Sequence, residues 1–288
     1  MKHSVTLTIG PATFRIGSAW GQPVAQLRAL YAGYPAPPGA IADFTVRLDP
    51  AGPLRRWWRP SARIAGDYML PDAAPMALHH GLLAAEMGMN LQMALGWRRH
   101  VLIHASSVEK DGRALVMTGE SGSGKSTLAA MLGERGWRFM GDEFALLDPT
   151  SGAIFPFPRL VSLKNVAIGV MQDFVGHAAR FGPLMQATPK GDIRHLIPPA
   201  DAIARMQEGA PPALLLFPRF GHARAIRPVG QGEAFMRLTQ ASTNYVACGE
   251  RGFTALHRFV SNVPGIALDF ESGAQAIDMI DDLWADLP

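Results

Sequence analysis

A glycine-rich segment from Gly119 to Thr127 constrains this 288-residue chain more than any other feature. It reads Gly-Glu-Ser-Gly-Ser-Gly-Lys-Ser-Thr, which places a glycine, four residues, a second glycine, a lysine and a serine in order. A mostly apolar run over 113–118 precedes it and predicts a strand, while Leu128 and Leu132 follow at helical spacing. This strand, loop and helix order is typical of a phosphate-binding loop of the P-loop type.

Each residue type in the loop has a chemical reason. Glycines let the backbone turn so that successive N–H groups point at phosphate oxygens, and the helix beginning at Lys125 adds the positive end of its dipole. Lys125 supplies a point charge to the β- and γ-phosphates, and the Ser126 hydroxyl ligates magnesium. The sequence therefore predicts that ATP with Mg²⁺ contacts Gly119, Glu120, Ser121, Gly122, Ser123, Gly124, Lys125, Ser126 and Thr127.

Two adjacent acids, Asp142 and Glu143, follow Lys125 by one helix, one turn and one strand. That spacing predicts that Asp142 returns beside the loop, where a carboxylate can hold the magnesium ion. Of the two acids, one could act as general base while the other holds metal. Because successive strand residues point to opposite faces, the chain must bend if both serve the site. The alternative is one metal ligand beside a solvated glutamate.

Composition excludes several other classes of protein. The net charge is only +3 and gives little support to nucleic-acid binding. A single cysteine allows no intrachain disulfide, which fits a reducing cytoplasm. The N-terminus alternates polar and apolar residues, unlike a signal peptide, and the longest apolar-leaning stretch, 76–97, is too polar to span a membrane. We predict a cytoplasmic protein without membrane insertion.

Hydrophobic periodicity divides the chain near residue 98. Residues 1–97 read as a mixed α+β region, with strands at 4–9 and 43–48 and helices at 23–31 and 75–97. Residues 98–288 read as an α/β nucleotide-binding domain, and Asp111-Gly112 predicts a hairpin turn between the two strands before the loop. The later elements are a strand over 214–217, helices over 233–240 and 253–260, a strand over 266–270, and a final helix capped by Ser272.

Residues 55–70 are rich in arginine and tryptophan, with Arg55, Arg56, Trp57, Trp58 and Arg59 in succession. Basic residues beside aromatic ones can bind single-stranded nucleic acid. The favoured interpretation is a strand that packs its tryptophans while its arginines face water.

His104 lies in a strand of the predicted hairpin, where a lone histidine is usually a satisfied core group. The order in which His104 and two later motifs follow one another along the chain indicates a role in a functional site. His104-Ala105-Ser106-Ser107-Val108, the loop and Gly141-Asp142-Glu143 together resemble the HPr kinase/phosphorylase family. The chain is more similar to the HprK-related kinase A family, found with exosortase and exopolysaccharide gene clusters, through the segments 159–165, 188–191 and 216–219.

The resemblance implies a kinase whose magnesium-ATP site lies in a PEP-carboxykinase-like α/β core. It would transfer the γ-phosphoryl group to a hydroxyl acceptor, either a protein serine or a small molecule. By position, Asp142 matches the catalytic acid/base, Glu143 replaces a second aspartate near the metal, and His104 matches the histidine that partners the base. The C-terminal signature of HPr kinases has no convincing copy here, so phosphorylase activity and HPr as substrate are not implied. The resemblance also permits a homo-oligomer.

Lysine is scarce in this chain, with five Lys among 27 basic residues, and lysine suits sites that need a compact charge. The candidates for holding the γ-phosphate or an acidic acceptor are Arg159, Lys164, Lys190 and Arg194; each could equally be an ordinary solvated base.

Two classes of function remain open from the sequence besides a nucleic-acid motor, which the lack of a broad basic surface disfavours. The first is the kinase. The second is a nucleotide-binding regulatory module with little or no kinase activity, acting through a partner in exopolysaccharide or protein-sorting systems.

Overall fold

The computed structural model describes residues 2–35, 39–70 and 73–287, which form a mixed α/β fold with several sheets. The strands are β1 His3–Ile9, β2 Ala12–Ser18, β3 Phe44–Pro50, β4 Ser61–Gly66, β5 Met76–Ala77, β6 Val101–Ile103, β7 Ala105–Lys110, β8 Arg113–Thr118, β9 Arg138–Gly141, β10 Ala145–Leu147, β11 Ile154–Phe155, β12 Val161–Lys164, β13 Met185–Thr188, β14 Gly191–Leu196, β15 Pro212–Phe220, β16 Ala225–Val229 and β17 Gly265–Phe270. The helices are α1 Gly21–Leu30, α2 Gly81–Gly96, α3 Lys125–Glu134, α4 Val166–Val175, α5 Ala200–Ala204, α6 Gln231–Ala241, α7 Tyr245–Asn262 and α8 Gly273–Ala285.

The N-terminal sheet has the order β1-β2-β3-β4-β5, with β2 and β3 parallel and the other pairs antiparallel. Alternate residues of β2 and β3, such as Phe14 and Val46, are buried because one face of each strand packs on the core. The strand predicted at 43–48 is confirmed. The helix predicted from residue 75 begins only at Gly81, because residues 76–77 pair with β4 instead.

The arginine- and tryptophan-rich segment corrects the prediction for residues 55–70. Only β4 is a strand there; Pro53–Arg56 form a 3-10 helix, a turn that the fixed φ of Pro53 favours. Trp57 and Trp58 are 75% and 61% exposed, so they do not pack in a core. Instead arginine side chains of the same segment lie over both indole rings at 5.1–5.8 Å from the ring centres, which is a surface cation–π arrangement.

A six-stranded sheet carries the glycine-rich loop and has the order β16-β17-β15-β8-β7-β9. β8, β15 and β17 are parallel, and β9 is antiparallel to β7, which is itself antiparallel to β8. The carboxyl ends of β8, β9, β15 and β17 therefore meet at one edge, where ligands bind in open α/β sheets. The predicted Asp111-Gly112 turn is confirmed, with φ values of +55° and +74°.

Helices cover both faces of this sheet. Leu115 and Met117 face an apolar cluster with α3 and α8, while Ala114 and Val116 face a second cluster with α6 and α7. Both faces being buried explains why β8 reads as a continuous apolar run. The predicted strands within β15 and β17 are confirmed, and so is the Ser272 cap of α8, whose hydroxyl accepts a 3.2 Å hydrogen bond from the Gln275 N–H.

A third apolar cluster contains Phe14 and Met89 from the first 97 residues together with Phe144, Phe157 and Met206 from beyond them. The division at residue 98 stays a prediction. In the part of the chain that the structure describes, no helix has the combined length and apolarity that crossing a bilayer requires.

Candidate functional site

The glycine-rich loop joins β8 directly to α3, as the sequence predicts. Gly122 and Gly124 have φ values of +87° and +94°, conformations that favour glycine. Gly124 also lies in a crowded position, since a Cβ there would come 3.1 Å from the Phe270 ring and 3.3 Å from the Phe220 Cβ. Glycine at 124 is therefore required both by its backbone angles and by its neighbours.

Lys125 opens α3 and is buried, with its side chain turned back over the loop. Its Nζ donates hydrogen bonds to the carbonyl oxygens of Gly119 and Glu120, each at 2.8 Å, and lies 3.3 Å from the Ser123 Oγ. Burial lowers the pKa of Lys125, and the nearby charges of Asp142 and Glu143 oppose that shift. The ammonium group thus sits at the centre of the loop, within the electrostatic reach of both acids.

Asp142 follows the last residue of β9 and is only 5% exposed. Its Oδ1 accepts a 2.8 Å hydrogen bond from the Ser106 hydroxyl, and the Ser126 side chain is close enough to affect its pKa. Burial raises the pKa of Asp142, the Glu143 charge raises it further, and the Ser126 and Ser106 hydroxyls oppose the rise. The structure therefore brings Asp142 beside the first turn of α3, at the loop.

Glu143 and His104 form a more exposed pair at the rim. The chain bends at Asp142 and Glu143, so both acids lie at the same edge of the sheet. The His104 Nδ1 lies 3.1 Å from the Glu143 backbone oxygen and 3.7 Å from its Oε2. The resemblance implied that His104 partners Asp142, but these contacts join it to Glu143, and Ser106 holds Asp142 instead.

Ser106 is a residue that the sequence prediction missed. It lies two positions after His104, which occupies a bend between β6 and β7 and not a strand. No motif in the sequence marked Ser106. Ser106 points into the buried part of the site, while His104 lies just before the first residue of β7, at the rim.

The four cationic candidates differ in their surroundings. The Lys164 charge acts on the pKa of both Lys125 and Asp142, which it lowers in each case. Lys190 is exposed on the turn between β13 and β14, which a 2.6 Å hydrogen bond from the Thr188 hydroxyl to the Gly191 oxygen closes. The Arg194 Nε donates to the Gly182 oxygen at 2.8 Å.

Arg159 is buried and already bound. Its guanidinium forms an ion pair with the Glu86 carboxylate, contacts the Asn90 Oδ1, and donates a 3.0 Å hydrogen bond to the Glu86 backbone oxygen. The Tyr31 hydroxyl donates to the same carboxylate at 2.9 Å. This arrangement argues against the predicted contact between Arg159 and a phosphate group, because the phosphate would have to displace Glu86.

Among the described residues, no group of three or more His, Cys, Asp or Glu side chains could hold a metal ion. The Ser126 hydroxyl and the Asp142 carboxylate are nevertheless adjacent, and Glu143 lies next to them. Magnesium prefers oxygen ligands and commonly takes only one or two carboxylates, with water and substrate phosphates completing its shell. A buried carboxylate whose pKa is raised would also gain from a neighbouring cation. These residues therefore fit a magnesium ion bound together with phosphates.

Comparison with known proteins adds little. No family model matches this chain, and no curated protein matches it. Among solved structures, one titled as the Hpr(Ser) kinase/phosphatase from Coxiella burnetii aligns at 13% sequence identity and a TM-score of 0.31. The alignment covers 64% of this chain and 94% of that one. An alignment with so low a TM-score decides neither the fold nor the function of this chain.

Proposed function

We propose that this protein is an ATP-dependent kinase of the HPr kinase-like type, which transfers the γ-phosphoryl group to a hydroxyl of a protein serine or a small molecule. One observation carries the proposal: Asp142, a buried carboxylate with a raised pKa that accepts a hydrogen bond from Ser106, lies close to Ser126 at the foot of the glycine-rich loop. Perturbed acids that lie in such places are candidates for catalysis. The catalytic unit in this proposal is residues 98–288, with residues 1–97 as an accompanying α+β region.

The loop residues of the proposed site bind and orient the nucleotide. The backbone N–H groups of 119–124 and the first turn of α3 would surround the phosphates. The Lys125 Nζ, which now contacts loop carbonyls, would turn to the β- and γ-phosphates. Ser126 and Glu143 would hold Mg²⁺, which when bound neutralises phosphate charge, and Asp142 beside them would remain for proton transfer. Lys164 is the candidate cation whose charge acts on Asp142.

Asp142 is the proposed general base. The acceptor O–H gives its proton to an Asp142 carboxylate oxygen as the new O–P bond forms and the bond between the γ-phosphorus and the β,γ-bridging oxygen breaks, so that ADP leaves. A raised pKa makes Asp142 a better proton acceptor than an ordinary aspartate. Ser106 holds the carboxylate in position through its 2.8 Å hydrogen bond.

The second candidate is a nucleotide-binding regulatory module with little or no kinase activity. It is favoured by the position of His104, which contacts Glu143 and leaves Asp142 without the imidazole partner that the family resemblance implies. Such a module would bind ATP through the same loop and act through a partner in exopolysaccharide or protein-sorting systems.

Transfer of a labelled γ-phosphate into fractionated cell extract separates the two functions. For a kinase, Asp142→Asn should retain ATP affinity and lose transfer by roughly 10²-fold or more. The matched control is Asp173→Asn, an exposed aspartate on α4, which should change neither. Wild-type protein that binds ATP but labels no acceptor supports the regulatory module. Lys125→Ala should weaken ATP binding in either case, and unchanged binding would contradict both functions.

A further inference from the structure

The two sides of the glycine-rich loop carry different kinds of side chain. On one side, beyond β7, β9 brings Asp142 and Glu143 to the edge of the sheet. On the other side the neighbouring strand, β15, ends in Phe220, and the next strand, β17, ends in Phe270. The loop therefore has carboxylate side chains on one flank and aromatic rings on the other.

Phe220 is exposed although the ring beside it and the middle of its strand are buried. The β15 residues 214–217 are buried and Phe270 is 2% exposed, but Phe220 is 54% exposed where the strand leaves the sheet. Its ring centre lies 5.8 Å from that of Phe270, so the buried ring supports the exposed one. The exposed ring offers a flat apolar face beside the loop.

Phe220 is fixed against the loop itself. Its N–H donates a 3.3 Å hydrogen bond to the Ser123 oxygen, and its Cβ is one of the atoms that leave no room for a side chain at Gly124. Gly221, with φ of +84°, turns the chain away, and its N–H donates to the Phe270 oxygen at 2.8 Å. These contacts hold the ring beside the residues that directly precede Lys125.

The order of the strands gives a bound nucleotide a direction. If a triphosphate lies across the loop with its reacting end toward Asp142, the opposite flank, where its nucleoside end extends, is that of β15. A nucleobase has an aromatic face, and base stacking on an aromatic side chain contributes to binding without distinguishing strongly between bases. The charge adjacent to the ring is already neutralised, because Arg219 and Asp269 form an ion pair with hydrogen bonds of 2.6 and 2.8 Å.

We propose that Phe220 is the stacking platform for the base of a bound nucleoside triphosphate. This inference rests on the proposed function, since it needs triphosphate binding at the loop. It assigns the base to the β15 flank, and it predicts that Phe220 matters for nucleosides but not for phosphate groups alone.

The test compares ATP with inorganic tripolyphosphate, each with Mg²⁺, by titration calorimetry. Phe220→Ala should weaken ATP binding by about 5- to 150-fold, the range expected for one stacked base, and leave tripolyphosphate binding unchanged. Phe220→Trp should retain ATP binding, because it keeps an aromatic ring at this position. Retained binding would show that a substitution at 220 does not by itself disrupt the fold. Phe253→Ala, at a phenylalanine of similar exposure on α7, is the matched control and should change neither affinity.

Several results would overturn the inference. Equal losses for ATP and tripolyphosphate would mean that Phe220 only maintains the shape of the loop. Unchanged ATP affinity in Phe220→Ala would place the base elsewhere. Wild-type protein that binds tripolyphosphate as tightly as ATP would overturn the stacking platform alone. Wild-type protein that binds neither ligand would overturn the proposed function as well.

Discussion

Among the described residues, two of the buried groups of charged side chains are built in opposite ways. Around Arg159, the Glu86 carboxylate, the Asn90 side chain and the Tyr31 hydroxyl form one connected set of ion-pair and hydrogen-bond contacts. Around Asp142, the carboxylate accepts a hydrogen bond from the Ser106 hydroxyl, and burial with a neighbouring glutamate raises its pKa. The first group joins residues distant in sequence, while the second lies beside a glycine-rich loop.

The difference separates a structural role from a catalytic one. A buried charge that is paired with an opposite charge is stable only while that partner is present, so removing one partner is costly. A buried acid that is only partly compensated is reactive, because its proton affinity is raised. Burial and charge alone therefore do not identify the site; the partners do.

Breaking the Arg159 group should have the largest effect on stability. Arg159→Met leaves the Glu86 carboxylate buried without its cation, and we expect a loss of about 3–5 kcal/mol in the free energy of unfolding. Chemical denaturation measures it. Glu86→Gln combined with Arg159→Met should recover much of the loss, because no lone charge remains. If Arg159→Met has near-normal stability but no longer binds ATP, the prediction that Arg159 contacts a phosphate group would be supported instead.

Ser106→Ala should reduce catalysis rather than stability. A hydrogen bond to a charged group contributes about 1.5–3 kcal/mol, which corresponds to a roughly 10- to 150-fold fall in transfer rate at saturating ATP. Since the Ser106 hydrogen bond lowers the pKa of Asp142, its loss should move the acidic limb of the pH–rate profile to higher pH. ATP affinity should not change.

Ser107→Ala is the natural control for Ser106→Ala. Ser107 is also buried, lies in the same strand and points to the opposite face, but its hydroxyl has no hydrogen-bond partner. Removing that hydroxyl should leave transfer and its pH profile unchanged. A similar loss of activity in both variants would mean that packing within β7, not the bond to Asp142, accounts for the Ser106 effect.

Local patterns predicted the parts of the site that neighbouring residues determine. The loop, its strand and its helix follow from the spacing of 119–127, and the return of Asp142 follows from the length of one helix and one strand. Contacts between distant residues were not predictable in this way. Arg159 contacts Glu86 at a sequence separation of 73 residues, and Ser106 contacts Asp142 at a separation of 36. The spacing of neither pair predicts its contact.

Exposure was equally hard to read from the sequence. The tryptophans at 57 and 58 suggested a packed strand, yet Pro53 begins a 3-10 helix and leaves both rings at the surface. Phe220 ends a strand whose middle residues are buried, and the strand predicted over 214–217 stops short of it. In both places the exposure of the ring depends on where the chain leaves its sheet, and that position depends on the neighbouring elements.

His195 is a buried histidine on which charges from both the Arg159 group and the Asp142 site act. It is buried, its Nδ1 has no hydrogen-bond partner, burial lowers its pKa, and the charges of Glu86, Arg159 and Glu143 all act on it. The unfolded chain binds this proton below the ordinary histidine pKa of about 6.5, whereas the folded chain does not. Stability should therefore fall as pH drops from about 6.5, by at most about 1.4 kcal/mol per pH unit for this residue.

The measurement is the free energy of unfolding at several pH values between 7.5 and 5 for wild type and His195→Phe. The variant should lose part of this dependence and keep the part due to His100, whose pKa burial also lowers. Identical slopes in the two proteins would show that His195 already titrates normally in the fold.

The smallest expected effect is a gain in stability, and it distinguishes the two groups most directly. Asp142→Asn removes a buried charge that the fold leaves partly uncompensated, and the Ser106 and Ser126 hydroxyls can turn to suit the amide. Because the folded protein raises the pKa of Asp142, the ionised form weakens folding at neutral pH, and we expect the variant to be about 1 kcal/mol more stable there. The same substitution should abolish transfer. Thermal unfolding at pH 7.5 in EDTA measures the gain, which should disappear below the unfolded-state pKa of aspartate, where the native side chain is protonated in both states. A loss of stability at pH 7.5 would mean that the charge of Asp142 is compensated by its partners, as that of Arg159 is by Glu86, and that its place beside the loop is structural.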